Sequence, residues 1–387
     1  MTTERLYYQD SYLTEFRARI VDKSADGLHV YLDRTAFYPD SGGQPRDTGL
    51  LAGVAVTDVT DEGDRIAHLT THAVDATEVE CRIDWARRFD HMQQHSGQHL
   101  LSATLLELYG IPTVSFHLGE ESSTIEVTAP ALDPQQMLSV ELRANEHVVE
   151  NRPVSISMET PHEAQGLRVP SEREGLLRIV TIPGLDRIAC GGTHVRTTGE
   201  IGPVLIRRLE KIRGNVRIEF LCGMRAVRRA RADFDALSGI ARVLSTALDD
   251  TPAVVASQRE ALDASGKARR KLAAELAQHR GRELYDTTLP DASGFRRVVK
   301  RLASGAIDDE LRALAQGFTS RPQAVFLAVI EDPLTMLLAV STDAGIHAGN
   351  KLREALASAG GRGGGNAQVA QGTVPSKDAL ESVLSLL

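Results

Sequence analysis

The chain has 387 residues, 42% of them hydrophobic and 25% charged, with a formal net charge of -8. These proportions are typical of globular proteins and argue against a disordered, fibrous or membrane protein, and the length favours more than one domain. The three cysteines are far apart and do not suit a disulfide framework, and the N-terminus lacks the apolar core of a signal peptide, so we expect a cytoplasmic protein.

Short segments of alternating hydrophobic and polar residues fill the chain from Leu6 to about Asp84, with Gly and Asp at the breaks. This pattern predicts an antiparallel β-barrel. Leucines then recur at helical spacing, which predicts a helix over Trp85–Tyr109 that ends at Gly110. A second helix is expected from about Pro134 to Asn151, capped by Asp133. Strand-like segments surround it, so the mixture favours an α+β domain.

Residues 224 to about 284 carry no strand signal and are rich in helix-forming residues. We expect two long helices, broken near Asp249–Pro252. From Phe295 onward strand-like and helical segments alternate, which predicts a small α/β domain containing the run GGRGGG, Gly360–Gly365. The predicted fold is an α+β multidomain protein with four parts: an N-terminal β-barrel (1–88), an α+β domain (89–223), a helical linker (224–285) and a C-terminal glycine-rich domain (286–387).

Histidines and a cysteine with metal-ligand spacing form the main chemical signal. His91, His95 and His99 are four residues apart, so their rings project from one face of the predicted helix. The later segment CGGTH adds Cys190 and His194 in a glycine-rich loop. Cysteine and histidine are the ligands that zinc prefers, so we predict one zinc ion per chain. Spacing alone accepts His91 with His95 as readily as His95 with His99.

The role of this zinc stays open between structural and catalytic, because four protein ligands normally close a tetrahedral site. No Glu stands between His95 and His99, which disfavours an H-E-x-x-H metalloprotease. An activated ester needs only a positioned water and charge stabilisation. Basic residues cluster twice, at residues 225–231 and 267–282, where they predict either contacts to a phosphate backbone or a solvated helix face.

Several motifs resemble one family. HSGQHLL, CGGTHV and TGEIGPV resemble the editing domain of alanyl-tRNA synthetase and its freestanding AlaX relatives, and FYPDSGGQPRDTG (Phe37–Gly49) is similar to the Gly-Gly-Gln stretch that precedes that domain. ANEHVVENRPV and GNVRIEFLCG extend the match. The resemblance covers nearly the whole chain, including a C-terminal domain of the DHHA1 type, and is greatest to the long AlaX form.

The resemblance implies a trans-editing hydrolase that cleaves the ester of mischarged seryl-tRNA(Ala) without activating an amino acid. Whether glycyl-tRNA(Ala) is a second substrate stays open. The zinc ligands that it implies are His95, His99, Cys190 and His194. The expected catalytic or substrate-binding residues are Gln44, Gly42, Gly43, Gln98, Thr113, Ser115 and His117. The expected tRNA contacts are Arg225, Arg228, Lys267, Arg270 and Arg362.

Gln98 stands where the synthetase editing domain commonly has Thr, which leaves the recognition of the substrate hydroxyl open. Two other functions remain: a non-catalytic, zinc-scaffolded tRNA-binding module, and a deacylase for another misacylated tRNA, since threonyl-tRNA synthetase uses a related editing fold. GGRGGG does not match a P-loop and predicts either a flexible loop or a phosphate contact through Arg362. No membrane partner is expected, and a homodimer through the linker or the C-terminal domain is left open.

Overall fold

The computed structural model describes residues 2–171 and 175–387. The chain divides into two compact units, one up to Gly239 and one from Ile240 to Leu387. The four-part division of the sequence stays a prediction.

A closed six-stranded barrel occupies the first part of the chain, which confirms the prediction. The strands here are β1 (Glu4–Arg5), β2 (Glu15–Lys23), β3 (His29–Leu32), β4 (Arg34–Thr35), β5 (Gly49–Leu51), β6 (Val54–Asp61), β7 (Ile66–Thr70) and β8 (Glu78–Ile83). The barrel closes in the order β2-β3-β7-β6-β5-β8, with antiparallel neighbours. Alternation sets its core: in β8, Val79, Cys81 and Ile83 are buried whereas the residues between them are exposed.

A long helix, α1 (Trp85–Tyr109), follows the barrel with the predicted limits. The Asp84 side chain caps its start, and Gly110 ends it in the left-handed conformation at φ 64°. Every residue from His91 to Leu105 is buried, so the middle of the helix is surrounded by protein on all sides. This burial explains how so many polar side chains of one helix come to face the interior.

Two antiparallel sheets and a second helix pack in the same unit. The elements are β9 (Thr113–Leu118), β10 (Ser123–Val127), α2 (Pro134–Val149), β11 (Ser155–Glu159), β12 (Leu177–Ile182), β13 (Asp186–Ala189), β14 (Val204–Ile212) and β15 (Asn215–Cys222). One sheet has the order β14-β15-β10-β9 and the other β11-β12-β13. The capping box of Asp133 and Gln136 begins α2 as predicted.

Two long helices come next, α3 (Gly223–Val243) and α4 (Thr251–Thr287). The break between them covers residues 244–250, slightly earlier than predicted, because Pro252 fits the first turn of α4, where its missing N–H costs nothing. Among the described residues, none of the helices has the length and apolar character needed to cross a membrane.

The last part of the chain contains a five-stranded sheet with helices. Its elements are β16 (Arg296–Leu302), α5 (Asp309–Thr319), β17 (Ala324–Glu331), β18 (Leu334–Val340), α6 (Ala348–Ser358), β19 (Arg362–Gly365), β20 (Val369–Thr373) and α7 (Lys377–Leu384). The strand order is β16-β17-β18-β20-β19. The glycine-rich run is therefore not a flexible loop: Arg362–Gly365 pairs with β20 as an edge strand.

Candidate metal centre

The structure brings together the four side chains that the resemblance implies as zinc ligands. One ligand atom from each of His95, His99, Cys190 and His194 lies within 4.8 Å of the others. The Sγ atom of Cys190 is 3.3 Å from Nε2 of His95 and 3.3 Å from Nε2 of His194. Tetrahedral zinc would separate sulfur and nitrogen by roughly 3.5 Å, so the donor set and its spacing fit one zinc ion.

His91 lies on the same helix but outside this cluster. It is buried, and burial lowers its pKa to about 4. The choice that sequence spacing left open between His91 and His99 as the partner of His95 therefore falls to His99.

The second ring nitrogen of each clustered histidine has its own neighbour. Nδ1 of His95 donates to Oε1 of Gln44 at 2.8 Å. Nδ1 of His194 lies 3.1 Å from Oγ of Ser96, and Nδ1 of His99 lies 3.2 Å from Oδ2 of Asp186. Each Nε2 is thereby left for a metal, which is how outer partners orient histidine ligands.

Sequence reasoning missed Ser96 and Asp186. Ser96 stands between two predicted ligands in the HSGQH motif, and this position could have indicated that it lies next to the metal site. Nothing near Asp186 in the sequence indicates that its carboxylate meets a histidine of α1. Asp186 also accepts from Nε of Arg168 at 2.7 Å, so one buried carboxylate holds both a cation and a candidate ligand.

Electrostatics at the cluster favour the thiolate. Burial alone would raise the pKa of Cys190, but the three surrounding imidazoles outweigh it and hold that pKa well below its usual value. Burial also opposes a charge on His99, yet the Cys190 thiolate and Asp186 raise the pKa of His99 to about 9. Burial lowers the pKa of His194 to about 3. A thiolate is the form of cysteine that binds a metal.

Two segments deliver these ligands: α1 carries His95 and His99, and the loop after β13 carries Cys190 and His194. Cys190 follows directly after β13. Its N–H donates to the carbonyl of Arg178, and Nη1 of Arg178 donates to the carbonyl of Cys190 at 2.7 Å. This pair of hydrogen bonds fixes the start of the CGGTH loop. The ligands from α1 project from the buried part of that helix.

A cleft of about 370 Å³ opens beside the cluster, and His99 and Cys190 form part of its wall. Four of the expected substrate residues line it: Gly42, Gln98, Thr113 and Ser115. Nε2 of Gln98 and Oγ1 of Thr113 both donate to Oγ of Ser102, at 2.9 and 2.8 Å. Arg168 is also on the wall.

Three other expected substrate residues are not among those that line the cleft. Gln44 is completely buried behind His95. Gly43 packs so tightly that a Cβ atom there would lie 2.8 Å from Cε2 of Phe116. His117 is exposed. Burial explains the case of Gln44, because a side chain whose polar atoms are all bound inside the protein has none left for the substrate.

Of the expected tRNA contacts, one is buried and four are exposed. Arg225 is 7% exposed, pairs with Asp90 at 2.6 Å and donates to the carbonyl of Gly119. Its guanidinium is therefore occupied inside the protein, and the expected phosphate contact does not fit. Arg228 on α3, Lys267 and Arg270 on α4 and Arg362 on β19 are exposed.

Two family models match the chain. The model described as the threonyl and alanyl tRNA synthetase second additional domain matches residues 177–219, which include β12, β13 and the CGGTH loop. The model described as the DHHA1 domain matches residues 295–387, which hold the five-stranded sheet.

Curated relatives match across longer stretches. Alanyl-tRNA editing protein AlaX-L of Pyrococcus horikoshii is 31% identical, with 97% of this chain and 95% of the relative covered. Alanyl-tRNA editing protein Aarsd1 of Mus musculus is 32% identical over 72% of this chain and 73% of the relative. An alanine-tRNA ligase of Pyrococcus abyssi is 30% identical over the whole chain, which spans 44% of that ligase.

Proposed function

The chain belongs to the alanyl-tRNA editing protein family, and from that premise we propose that it hydrolyses the ester bond of mischarged tRNA(Ala). Seryl-tRNA(Ala) is the main substrate, and the experiment below decides whether glycyl-tRNA(Ala) is a second one. The observation that carries this proposal is the cluster of three histidines and one cysteine, two of which, His99 and Cys190, lie on the wall of a cleft. The names of the full-length relatives support the substrate class.

His95, His99, Cys190 and His194 would hold one zinc ion. When bound, zinc supplies a Lewis acid that polarises an ester carbonyl or a water. The neighbours of these side chains do the positioning: Gln44, Ser96 and Asp186 each face a Nδ1 atom and so leave Nε2 directed towards the cluster. Burial of the cluster keeps its charges effective, because they are poorly screened away from water.

Gln98 is our candidate for recognising serine. Its amide nitrogen is bound to Ser102, which leaves its carbonyl oxygen to accept a hydrogen bond from the serine hydroxyl. Alanine offers no such donor, so the oxygen would lose its contact with water without a replacement. A site built to hydrogen-bond a hydroxyl can reject the analogue that lacks it by roughly four orders of magnitude. Thr113, bound to the same Ser102 hydroxyl, holds that arrangement in place.

The exposed cations of the later helices and of β19 are proposed to contact the tRNA body. Arg228, Lys267, Arg270 and Arg362 carry charges that solvent reaches, and such charges supply the sequence-independent part of nucleic-acid affinity. They offset locally a net charge of -8.

The test is a deacylation panel with zinc content measured on each preparation. Purified protein is given seryl-, glycyl- and alanyl-tRNA(Ala) and other misacylated tRNAs, with and without a chelator. We expect rapid serine release and intact alanyl-tRNA(Ala), with serine release abolished by the chelator and in Cys190→Ala and His95→Ala. Release of glycine would make glycyl-tRNA(Ala) a second substrate. No release from a zinc-loaded protein would favour a binding module, and release from another tRNA would replace the substrate.

A further inference from the structure

Gln44 joins the barrel to the candidate metal centre. Its side chain is completely buried. Oε1 accepts from Nδ1 of His95 at 2.8 Å and from the backbone N–H of Thr193 at 3.0 Å, and Nε2 donates to Oγ1 of Thr193 at 2.8 Å. One amide therefore contacts a ligand on α1 and the loop that carries Cys190 and His194.

The hydrogen bonds fix which end of the amide is which. If oxygen and nitrogen were exchanged, the amide N–H₂ group would face the backbone N–H of Thr193, which is also a donor. Because Oε1 must be the acceptor, the proton of a neutral His95 lies on Nδ1. Its Nε2 atom is then unprotonated and lies 3.3 Å from the sulfur of Cys190.

The turn that carries Gln44 is anchored to the same helix as His95. Asp47 and Arg88 form an ion pair in which both side chains are fully buried, and Nη1 of Arg88 donates to the carbonyl of Ser11. Asp47 also accepts the backbone N–H of Tyr38. A buried, fully bonded pair of this kind tolerates little movement, so Gln44 meets His95 at a fixed position.

We propose that Gln44 is a positioning residue of the metal centre, which holds His95 in the ligating tautomer and sets the Thr193 loop. This role replaces the direct contact with substrate that the resemblance implied for Gln44. The inference rests on the proposed zinc site but not on the proposed substrate. Orienting partners of histidine ligands typically change metal affinity by about 10- to 100-fold.

The experiment measures affinity for zinc alone, in competition with a chromophoric chelator, on the full chain. Gln44→Met keeps the size of the side chain but loses the amide, and Gln44→Glu keeps an acceptor for both His95 and Thr193. The matched control is Gln94→Met. Gln94 is equally buried and holds the backbone of Cys222 through both amide atoms, at 2.9 and 3.0 Å. Its hydrogen bonds go to backbone atoms and not to the four candidate ligands.

We expect Gln44→Met to weaken zinc binding by about 10- to 100-fold, Gln44→Glu to recover most of it, and Gln94→Met to bind zinc like the parent chain. Equal affinity in Gln44→Met and the parent, or an equal loss in Gln94→Met, would overturn the proposal. If Gln44→Met does not fold, nitrogen-15 NMR of the zinc-loaded parent decides: protonation of His95 at Nδ1 supports the role, and protonation at Nε2 rejects it. Neither readout involves tRNA, so failure of the editing reaction is scored separately.

Discussion

Two glycine-rich runs, Gly191–Gly192 in the CGGTH loop and Gly363–Gly365 in β19, look alike as sequence and serve different purposes in the structure. A Cβ atom on Gly192 would overlap the ring of His95. A Cβ atom on Gly363 would lie 2.5 Å from Cδ1 of Leu356 on α6. Each run also has a glycine with room: the nearest atoms to a Cβ would be 3.8 Å away at Gly191 and 3.9 Å away at Gly364.

Space, rather than backbone freedom, requires glycine at positions 192 and 363. Neither Gly192 nor Gly363 has a positive φ, so the backbone itself would accept another residue. The two positions differ in the group that packs against the glycine. In the first run it is the imidazole of a candidate metal ligand, and in the second it is a helix packed against a sheet edge. The same residue type thus permits chemistry at one site and packing at the other.

The largest effect is expected from Gly192→Ala. Because the added methyl group displaces the ring of His95, zinc affinity and serine release should each fall by at least about 100-fold. Metal analysis and single-turnover deacylation measure both. Gly191→Ala is the matched control and should stay close to the parent chain. Unchanged zinc content in Gly192→Ala would show that the ring has room to move and would break the comparison.

Removal of the metal should lower the stability of the first unit and leave that of the second unit unchanged. All four candidate ligands lie before Gly239, so a ligand that binds only the folded state stabilises that unit, by about 4 kcal/mol at a thousandfold excess over its Kd. With a chelator, hydrogen exchange should accelerate in α1 and stay unchanged in β17, a buried interior strand of the five-stranded sheet. Faster exchange in β17 as well would contradict this prediction.

Local patterns predicted what depends on neighbours in sequence. The limits of α1 follow from its leucine spacing and from Gly110. Two four-residue spacings indicated a metal site, but the choice of His99 over His91 came from the family resemblance. The role of Gln44 could not be predicted, because its partner Thr193 is 149 residues away. Arg225 pairs with Asp90 over 135 residues, and a run of basic residues gives no sign that one of them is buried.

Composition misled the interpretation of β19 for a related reason. A run of glycines predicts flexibility when its neighbours are unknown, whereas pairing with β20 and the approach of α6 fix this run as a strand. The ladder register and the helix position are long-range properties that one sequence does not display.

A smaller effect is expected from Gly363→Ala. The added methyl group meets Leu356 and the backbone of β20, and overpacking of this kind costs about 1–3 kcal/mol. Denaturant unfolding followed by hydrogen exchange in β17 measures it. Gly364→Ala, whose methyl group would have Arg353 Nη2 as its nearest neighbour at an ordinary contact distance of 3.9 Å, serves as the control. Equal stability of the two variants would show that α6 shifts without cost, and zinc binding should be unaffected in both.

The smallest effect is expected from Arg362→Ala, which asks whether β19 does more than pack. Arg362 begins the strand, is exposed and lines a groove of about 550 Å³ together with Arg312. If its charge contacts a phosphate, the substitution should weaken tRNA binding by up to about tenfold, or about 1.4 kcal/mol, and lower the slope of affinity against salt by about one ion.

Arg301→Ala is the control, because the guanidinium of Arg301 is already bound to both oxygens of Glu381 and its loss should leave affinity nearly unchanged. Equal binding by the two variants over a salt titration would remove Arg362 from the tRNA interface and leave the second glycine run with packing as its whole purpose.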